Sequence, residues 1–396
     1  MRPLRIGLLA AVLVPFVAYA AHGRAAVRAA GRCAVRPGLV APRLPVPIVA
    51  RTSCGAFRIA VDGGITRFSS HPRPVPADAA WWRTNGVWID TARGHVVVGR
   101  WGRTLWRSAG RFRSAGVTGE LALTGNRLAF SYGNRVPRLY VAPLDGRERP
   151  VARGEFPLGG TGGGFYTRRV DGAELRLRSR TGRLLGTIAR NVHSYAYDPR
   201  ARSLLFVAGD RLVRAQGARV RPLAGLARLG LKAGRSLQIL PLGRLVGLET
   251  GGRLVVLRPD GSFFASTTLP FSRKRIEFVT GPPTAAPGGA AVAFAGIRGD
   301  KAGDGRVMQR GVETVYLLQS GAHAAVPVHA ARTWFDVCGH AADLSWHGDW
   351  LLYGATGGST ALVDRNSGRT IGLSSIVRRL PGFEADGTTY FDIAFR

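Results

Sequence analysis

A strand that ends in a glycine-bearing turn and runs straight into a second strand recurs seven times along this 396-residue chain. The units are HVVVGR-WG-RTLWRS, LYVAPL-DG-RERPVA, LRLRSR-TG-RLLGTI, RLVRAQ-G-ARVRPLA, VVLRP-DG-SFFASTTL, VYLLQ-SG-AHAAVPV and ALVDRN-SG-RTIGLS. Their turn glycines are Gly102, Gly146, Gly182, Gly217, Gly261, Gly321 and Gly368. The spacing is roughly 35 to 60 residues and centres near 44, the interval of four-stranded blades set around an axis. A third apolar strand precedes each hairpin, as in NRLAFSY, SLLFVAG and DWLLYGA. A fourth candidate precedes each of these, as in DAAWW, HSYAYD, SLQIL and ADLSW. Helical periodicity is almost absent.

Four strands repeated seven times fit neither a sandwich nor a closed barrel. A single blade cannot cover both of its faces, whereas stacking around an axis covers both and leaves short edges. The expected fold is therefore an all-β propeller of four-stranded blades over residues 55–396. The ends extend the count. FRIAV-DGG-ITRFSS (57–70) has the form of an outer hairpin, and GFEADGTTYFDIAF (382–395) that of an inner pair. Joined, they would complete an eighth, composite blade and close the ring. Seven blades is the alternative, with the terminal strands lengthening a neighbour.

The repeats resemble those of TolB-type, WD-repeat-like propellers, in which a small polar turn leads into a strand ending in Ala-Phe and then one ending in Asp-Gly. TGNRLAFSY…LYVAPLDG (124–146) and APGGAAVAFAG…ETVYLLQSG (286–321) carry the likeness best, and it extends over all seven repeats. The Trp-Asp dipeptide of WD repeats and the Ser-x-Asp-x-Gly box of sialidase-type propellers are absent. The resemblance implies a propeller fold, an extracytoplasmic location and a binding or scaffolding role; propellers as a class host unrelated functions.

Residues 1–20 read as a signal peptide: two arginines, an apolar run from Ile6 to Ala21 broken by Pro15, and the small-x-small triplet Ala18-Tyr19-Ala20. An uncleaved anchor is the alternative, since Arg24 and Arg28 follow the run. A Pro-rich linker is expected over 21–54. Export, whether secreted or N-terminally anchored in the cell envelope, permits disulfides. Cys33, Cys54 and Cys338 allow one internal bridge, Cys33–Cys54 or Cys54–Cys338.

Motifs for chemistry are scarce. There is no Gly-x-Ser-x-Gly elbow, no His-Glu-x-x-His helix and no phosphate-cradling loop before a helix. Cys338, His340, Asp343, His347 and Asp349 form the densest group of potential ligands, yet no second pair has structural-zinc spacing. GDKAGDGR (299–306) echoes a calcium loop but has Ala302 and Gly311 where oxygen ligands are needed. Neither cofactor nor metal is expected. The chain reads as a noncatalytic binding or scaffold protein. The alternative is a propeller hydrolase or lyase acting on envelope glycans, with carboxylates drawn from different blades.

Charge bears on partners. Of 56 basic residues only Lys232, Lys274 and Lys301 are lysines, and the formal net charge is +32. The bias toward Arg, Gly and Ala is that of a GC-rich genome, but the potential it creates is real. Five of the eight tryptophans fall between Trp81 and Trp106, interleaved with arginines. Strand alternation alone yields that pattern, with tryptophans between blades and arginines in water. Arg103, Arg107, Arg111, Arg113, Arg273, Lys274 and Arg275 are the candidates for polyanion contact. The expected partners of a monomeric chain are an unidentified protein, an anionic envelope polymer or an anionic membrane surface. Export removes nucleic acid as a physiological partner.

Overall fold

The computed structural model describes residues 33–395 apart from 53, 68–79, 83–86, 93–94, 101–102, 113–116, 134–135, 172–173, 235, 251, 270–275, 280–282, 300–307, 337–341, 356–357 and 384–391. The signal segment thus lies outside the described residues. Eight antiparallel sheets form an eight-bladed propeller. In chain order, blade 1 spans 80–107, blade 2 117–153, blade 3 155–190, blade 4 195–225, blade 5 238–268, blade 6 276–336 and blade 7 342–372. In blade 6 the first strand is split, and both Ile276–Val279 and Thr284–Ala285 pair with the second strand. Among the described residues no helix is long and apolar enough to cross a membrane.

Blade 8 is composite, but its division differs from the expected two strands from each end. Among the described residues, Ile48–Thr52, Gly55–Ile59 and Ile65–Arg67 come from the N-terminal side and Asp392–Phe395 from the C-terminus. Asp392–Phe395 pairs with Ile48–Thr52 in the register Ile48↔Phe395 to Arg51↔Asp392. The expected linker therefore ends earlier than residue 54. Ile48 and Ala50 are fully buried, so this stretch supplies the apolar face that a strand of a stacked blade needs.

Alternation within each strand sends side chains into two different cores. In blade 4, Leu204 and Phe206 pack toward blade 3, while Leu205 and Val207 pack toward blade 5. Seven such cores occupy the successive joints from blades 1 and 2 round to blades 7 and 8. A blade buried on both faces must read as a nearly continuous apolar run, which is why the inner strands show little polar alternation. Five of the seven predicted turn glycines adopt positive φ: Gly182, Gly217, Gly261, Gly321 and Gly368.

Residues 33–47, expected to be part of a linker, pack instead as a wedge in the joint between blades 7 and 8. Leu39, Ala41 and Leu44 share a core with Leu352, Leu362 and Leu373 of the blade 7 side, with Ile48, Phe57 and Ile59 of blade 8, and with Ile376, Val377 and Leu380 around the one-turn helix Ser374–Val377. The wedge is tied down covalently by a Cys33–Cys54 disulfide, with Cα atoms 5.3 Å apart. Cys338 lies outside the described residues. The bridge restrains a loop of sequence separation 21, so removing it with Cys33→Ser/Cys54→Ser is expected to cost about 3 kcal/mol. Denaturant unfolding of oxidised wild type against the double variant measures this. A difference near zero would mean that the wedge holds by packing alone.

Candidate functional site

The most concentrated buried charge is in blade 3. Glu155 begins the inner strand Glu155–Gly160 and is 1% exposed. Arg178, on the third strand Glu174–Ser179, grips it with two bonds: Nε to Oε2 at 2.7 Å and Nη2 to Oε1 at 2.6 Å. Arg176 Nη1 donates to the same Oε1 at 2.6 Å, and the Thr167 hydroxyl donates to Oε2 at 3.0 Å. Arg176 also reaches Glu174 at 2.8 Å, and Arg178 Nη1 donates to the Gly182 carbonyl at 2.7 Å. Burial alone would push the Glu155 carboxyl pKa up, but the bonds from Arg178, Arg176 and Thr167 outweigh it and hold it below the ordinary range. Its oxygens are taken up by the three strands it spans, so the group pins the sheet and offers no base to a substrate.

A second buried carboxylate, Glu313 of blade 6, accepts the hydroxyl proton bond of Tyr353 of blade 7, and both are fully buried. Burial, then the Glu313 charge and bond, push the Tyr353 pKa well up. His329 lies against the Tyr353 ring, centroids 5.6 Å apart, and burial lowers its pKa. This set clips two blades together.

The joints share a geometry. In each of blades 1–6 the outer strand is bulged: the extra residue is Leu105, Val151, Leu223, Phe264 and Val328 in blades 1, 2, 4, 5 and 6, and blade 3 has two, Leu185 and Ile188. A bulge bends and twists an edge strand, and here it carries the edge toward the glycine turn of the next blade. A Cβ on Gly182 (φ +86°) would lie 2.5 Å from Val151 Cγ1, and one on Gly261 would lie 2.0 Å from the Leu223 carbonyl. Gly321 N–H donates to the Phe264 carbonyl at 2.7 Å. Side chains add clips across the same joints. Trp106 Nε1 donates to the Gly146 carbonyl at 2.9 Å, Tyr166 OH to the Ala215 carbonyl at 3.0 Å, and Gly217 N–H to Tyr166 OH at 2.7 Å. Arg149 donates to the Thr181 carbonyl, Arg214 Nη1 to that of Pro259 at 3.3 Å, and Arg258 Nη2 to Ser320 Oγ at 3.1 Å.

The joint of blades 1 and 2 and that of blades 3 and 4 each have a surface hollow at the bulge. Between blades 1 and 2 a shallow hollow of about 470 Å³ is lined by Leu105, Trp106, Arg107, Asp145, Gly146 and Arg147, among others. Between blades 3 and 4 a groove of about 410 Å³ has Leu177, Leu185, Gly162 and Gly163 on one side and Arg202, Gln216 and Gly217 on the other. Its lining contains no Asp or Glu.

The structure brings few of the predicted contact residues together. Arg107 is exposed and lines the hollow between blades 1 and 2. Arg111 is exposed beside a turn whose Ala109 and Gly110 N–H groups donate to Glu148 at 2.9 and 2.7 Å. Arg103 starts the outer strand Arg103–Arg107, and only its backbone is described. Arg113, Arg273, Lys274 and Arg275 lie outside the described residues, as do Cys338, His340 and most of the 299–306 loop. Among the described residues no three His, Cys, Asp or Glu side chains gather as metal ligands. Asp349 pairs instead with Arg365 at 2.5 Å. Sequence reasoning missed the joint grooves and the Glu155 network; the one local signal was the Glu-x-Arg-x-Arg run at Glu174, Arg176 and Arg178.

These features define a closed propeller whose surface hollows lie at blade joints. No family model matches the chain, and no curated protein matches it. Solved propeller structures do. BamB from Moraxella catarrhalis is 13% identical, with 80% of this chain and 90% of that chain covered and a TM-score of 0.41. Apo AztD from Citrobacter koseri is 11% identical, with 82% and 94% covered and a TM-score of 0.47. Kluyveromyces lactis Hsv2 is 10% identical, with 72% and 93% covered and a TM-score of 0.41. The likeness concerns the fold and assigns neither ligand nor partner.

The blade 3 network has a direct consequence for stability. Arg178→Ala leaves a buried carboxylate short of its main partner and is expected to cost about 3–5 kcal/mol, read by urea unfolding. The Glu155 pKa is lower in the folded than in the unfolded chain. Its contribution is therefore complete above the unfolded pKa of about 4.3 and is lost as pH falls through the native value. Glu155→Gln should flatten that acid limb; an unchanged limb would remove Glu155 as its source.

Proposed function

We propose that the chain is an exported, noncatalytic propeller of the cell envelope that binds or scaffolds anionic partners along part of its perimeter. The observation that carries this reading is where the charge sits. The buried carboxylates Glu155 and Glu313 are engaged by Arg and Tyr side chains, and Asp198 caps its own turn through the Arg200 and Ala201 N–H groups. Exposed arginines line the outer strands of three consecutive blades: Arg149 and Arg153 on blade 2, Arg190 on blade 3, Arg219 and Arg221 on blade 4. The outer strand of blade 5, Phe263–Thr268, has no charged residue. Arg107 and Arg111 continue the arc onto the blade 1 side.

Exposed arginines also stand on the outer strands of blades 6 and 8, at Arg332 and Arg67; the run over blades 2–4 suits an extended polyanion or an anionic membrane surface, because many weak contacts add along it. The partner is an envelope polymer, an anionic lipid surface or an acidic protein, met by a monomer. The N-terminal signal pattern, the disulfide and the TolB-type likeness of the repeats support an extracytoplasmic setting.

The test is adsorption of the mature protein to phosphatidylglycerol vesicles and to wall fractions. Binding is expected near 0.1 M salt and release near 1 M, as the Debye length falls from ~10 Å to ~3 Å. Arg219→Glu/Arg221→Glu should weaken adsorption severalfold. No adsorption at low salt, or adsorption indifferent to both salt and the double variant, would overturn the reading.

A further inference from the structure

In a ring of blades every outer strand has one edge without a neighbour. An open edge offers its N–H and C=O groups to any other extended chain, so edges are kept short, bulged, interrupted by proline or covered. The outer strands of blades 7 and 8, Thr370–Gly372 and Ile65–Arg67, have three residues each. That of blade 1, Arg103–Arg107, has five and a bulge within them. Blades 2 and 4 combine a bulge with Pro150 and Pro222, and blade 3 is bulged twice. The edge of blade 5 is taken up by the next turn: Ser266 N–H donates to the Ala322 carbonyl at 2.9 Å, and Gly321 N–H to the Phe264 carbonyl at 2.7 Å.

Blade 6 departs from this rule. Its outer strand Val326–Asp336 has 11 residues, and the partner strand Met308–Gln319 has 12. Pro327 and the bulge at Val328 interrupt only the start of it. From His329 onward the pairing runs unbroken, from Val315↔His329 through Val312↔Arg332 to Met308↔Asp336. Residues 329–336 thus form a regular edge of about 27 Å. Among the described residues no strand lies beyond it in the sheet. In an antiparallel ladder alternate residues turn both N–H and C=O away from the paired strand, so about half of these residues offer a donor and an acceptor outward.

Charge says which chain fits. Arg332 stands in the middle of the edge, is exposed, and has no ion-pair partner among the described residues. In register it ends a row that runs Arg298–Val312–Arg332 across three strands. The next place in that row is the residue of an added strand directly opposite Arg332. Opposite charges in such a pair stabilise a sheet, and like charges destabilise it. Ala330, two residues away on the same face, is small and exposed and leaves that place uncrowded. Two copies of this chain paired edge to edge about the middle of the stretch would set Arg332 against Arg332, so the edge disfavours a second copy. A lipid surface or wall polymer makes no use of a ladder of N–H and C=O groups.

Building on the noncatalytic binding reading, we propose that the outer edge of blade 6 at residues 329–336 takes up a strand from a partner protein, an extended segment with Asp or Glu opposite Arg332. Main-chain bonds along the edge hold the segment, and the carboxylate fixes its register.

The test uses the intact, oxidised mature protein and fluorescein-labelled peptides built on residues 308–315, the sequence that pairs with this strand from its other side. One peptide carries Val312→Glu, at the position opposite Arg332, and another Val312→Lys. Two more are the glutamate peptide with N-methyl groups on alternate residues, odd-numbered in one and even-numbered in the other. Anisotropy titration near 0.15 M salt should give saturable one-to-one binding of the glutamate peptide, about tenfold tighter than of the lysine peptide. One methylated peptide should bind and the other should not, because only one edge of an added strand faces the protein. Arg332→Glu should reverse the order of the glutamate and lysine peptides and leave the thermal midpoint unchanged. Absence of saturable binding, the same result with both methylated peptides, or an unchanged order in Arg332→Glu overturns the proposal. A concentration-dependent dimer in sedimentation equilibrium that the glutamate peptide dissociates gives the edge to a second copy and overturns it too. Vesicle adsorption of the same wild-type sample keeps the two readings apart: adsorption without peptide binding leaves the envelope reading standing and removes the strand-addition site, and peptide binding without adsorption does the reverse.

Discussion

The structure depends on a constraint that no single blade can satisfy: each sheet has two apolar faces and only neighbours to cover them. Leu204 and Phe206 bury toward one neighbour, and Leu205 and Val207 toward the other. A stack of such sheets ends in an uncovered face unless it closes, so closure is a condition of stability. The chain meets it by giving blade 8 three strands from its N-terminal side and one from its C-terminus. Opening that sheet would separate Asp392–Phe395 from Ile48–Thr52 and break the ring at one place. It is there that the protein adds a wedge, a one-turn helix and a disulfide.

At the joints of blades 2–3, 4–5 and 5–6 a simpler device recurs with variations. An outer-strand bulge meets a glycine turn of the next blade, and a donor from one blade finds a carbonyl or hydroxyl in the next. Where Val151 or Leu223 meets its glycine closely, the joint is shut. Where Leu185 faces Gly217 without contact, the same architecture leaves a groove. The open joint differs in backbone as well as side chains, since the outer strand of blade 3 carries two bulges where those of blades 2 and 4 carry one.

How much of this is legible in the sequence follows from the range of each interaction. A hairpin turn is local, so Gly182, Gly217 and Gly261 mark their turns without knowledge of anything distant. Counting these marks gives seven blades, and the strand-like ends of the chain supply the eighth. The split of blade 8 does not, because Ile48–Thr52 sits beside prolines and its partner strand is at the far end of the chain. Bulges are equally hidden, since one extra residue in an apolar run changes no composition. The Glu155 network joins three strands whose spacing reflects turn lengths and not chemistry. Arg176 and Arg178 read in sequence as exposed alternation, yet Arg178 is 6% exposed and fixed to a carboxylate.

That last case bears on the excess of arginine over lysine. Arg178 makes a two-pronged grip on Glu155 and still has Nη1 for the Gly182 carbonyl. Arg214, 6% exposed, bonds the Pro259 carbonyl across the next joint even though burial lowers its pKa. A lysine offers a compact point charge, loses its proton more readily when buried and has no planar fork. A chain rich in arginine for compositional reasons can therefore use some of its cations inside its joints, where lysine would be a poor substitute. Other described arginines, among them Arg149, Arg153, Arg190, Arg219 and Arg221, lie exposed on outer strands and repel one another. Solvent screening keeps that repulsion small over the distances between blades, and the apolar cores of the ring withstand it. An anionic partner laid along the blade 2–4 arc would relieve part of that repulsion on binding. The same positive field that opposes compactness in the free protein thus favours the complex.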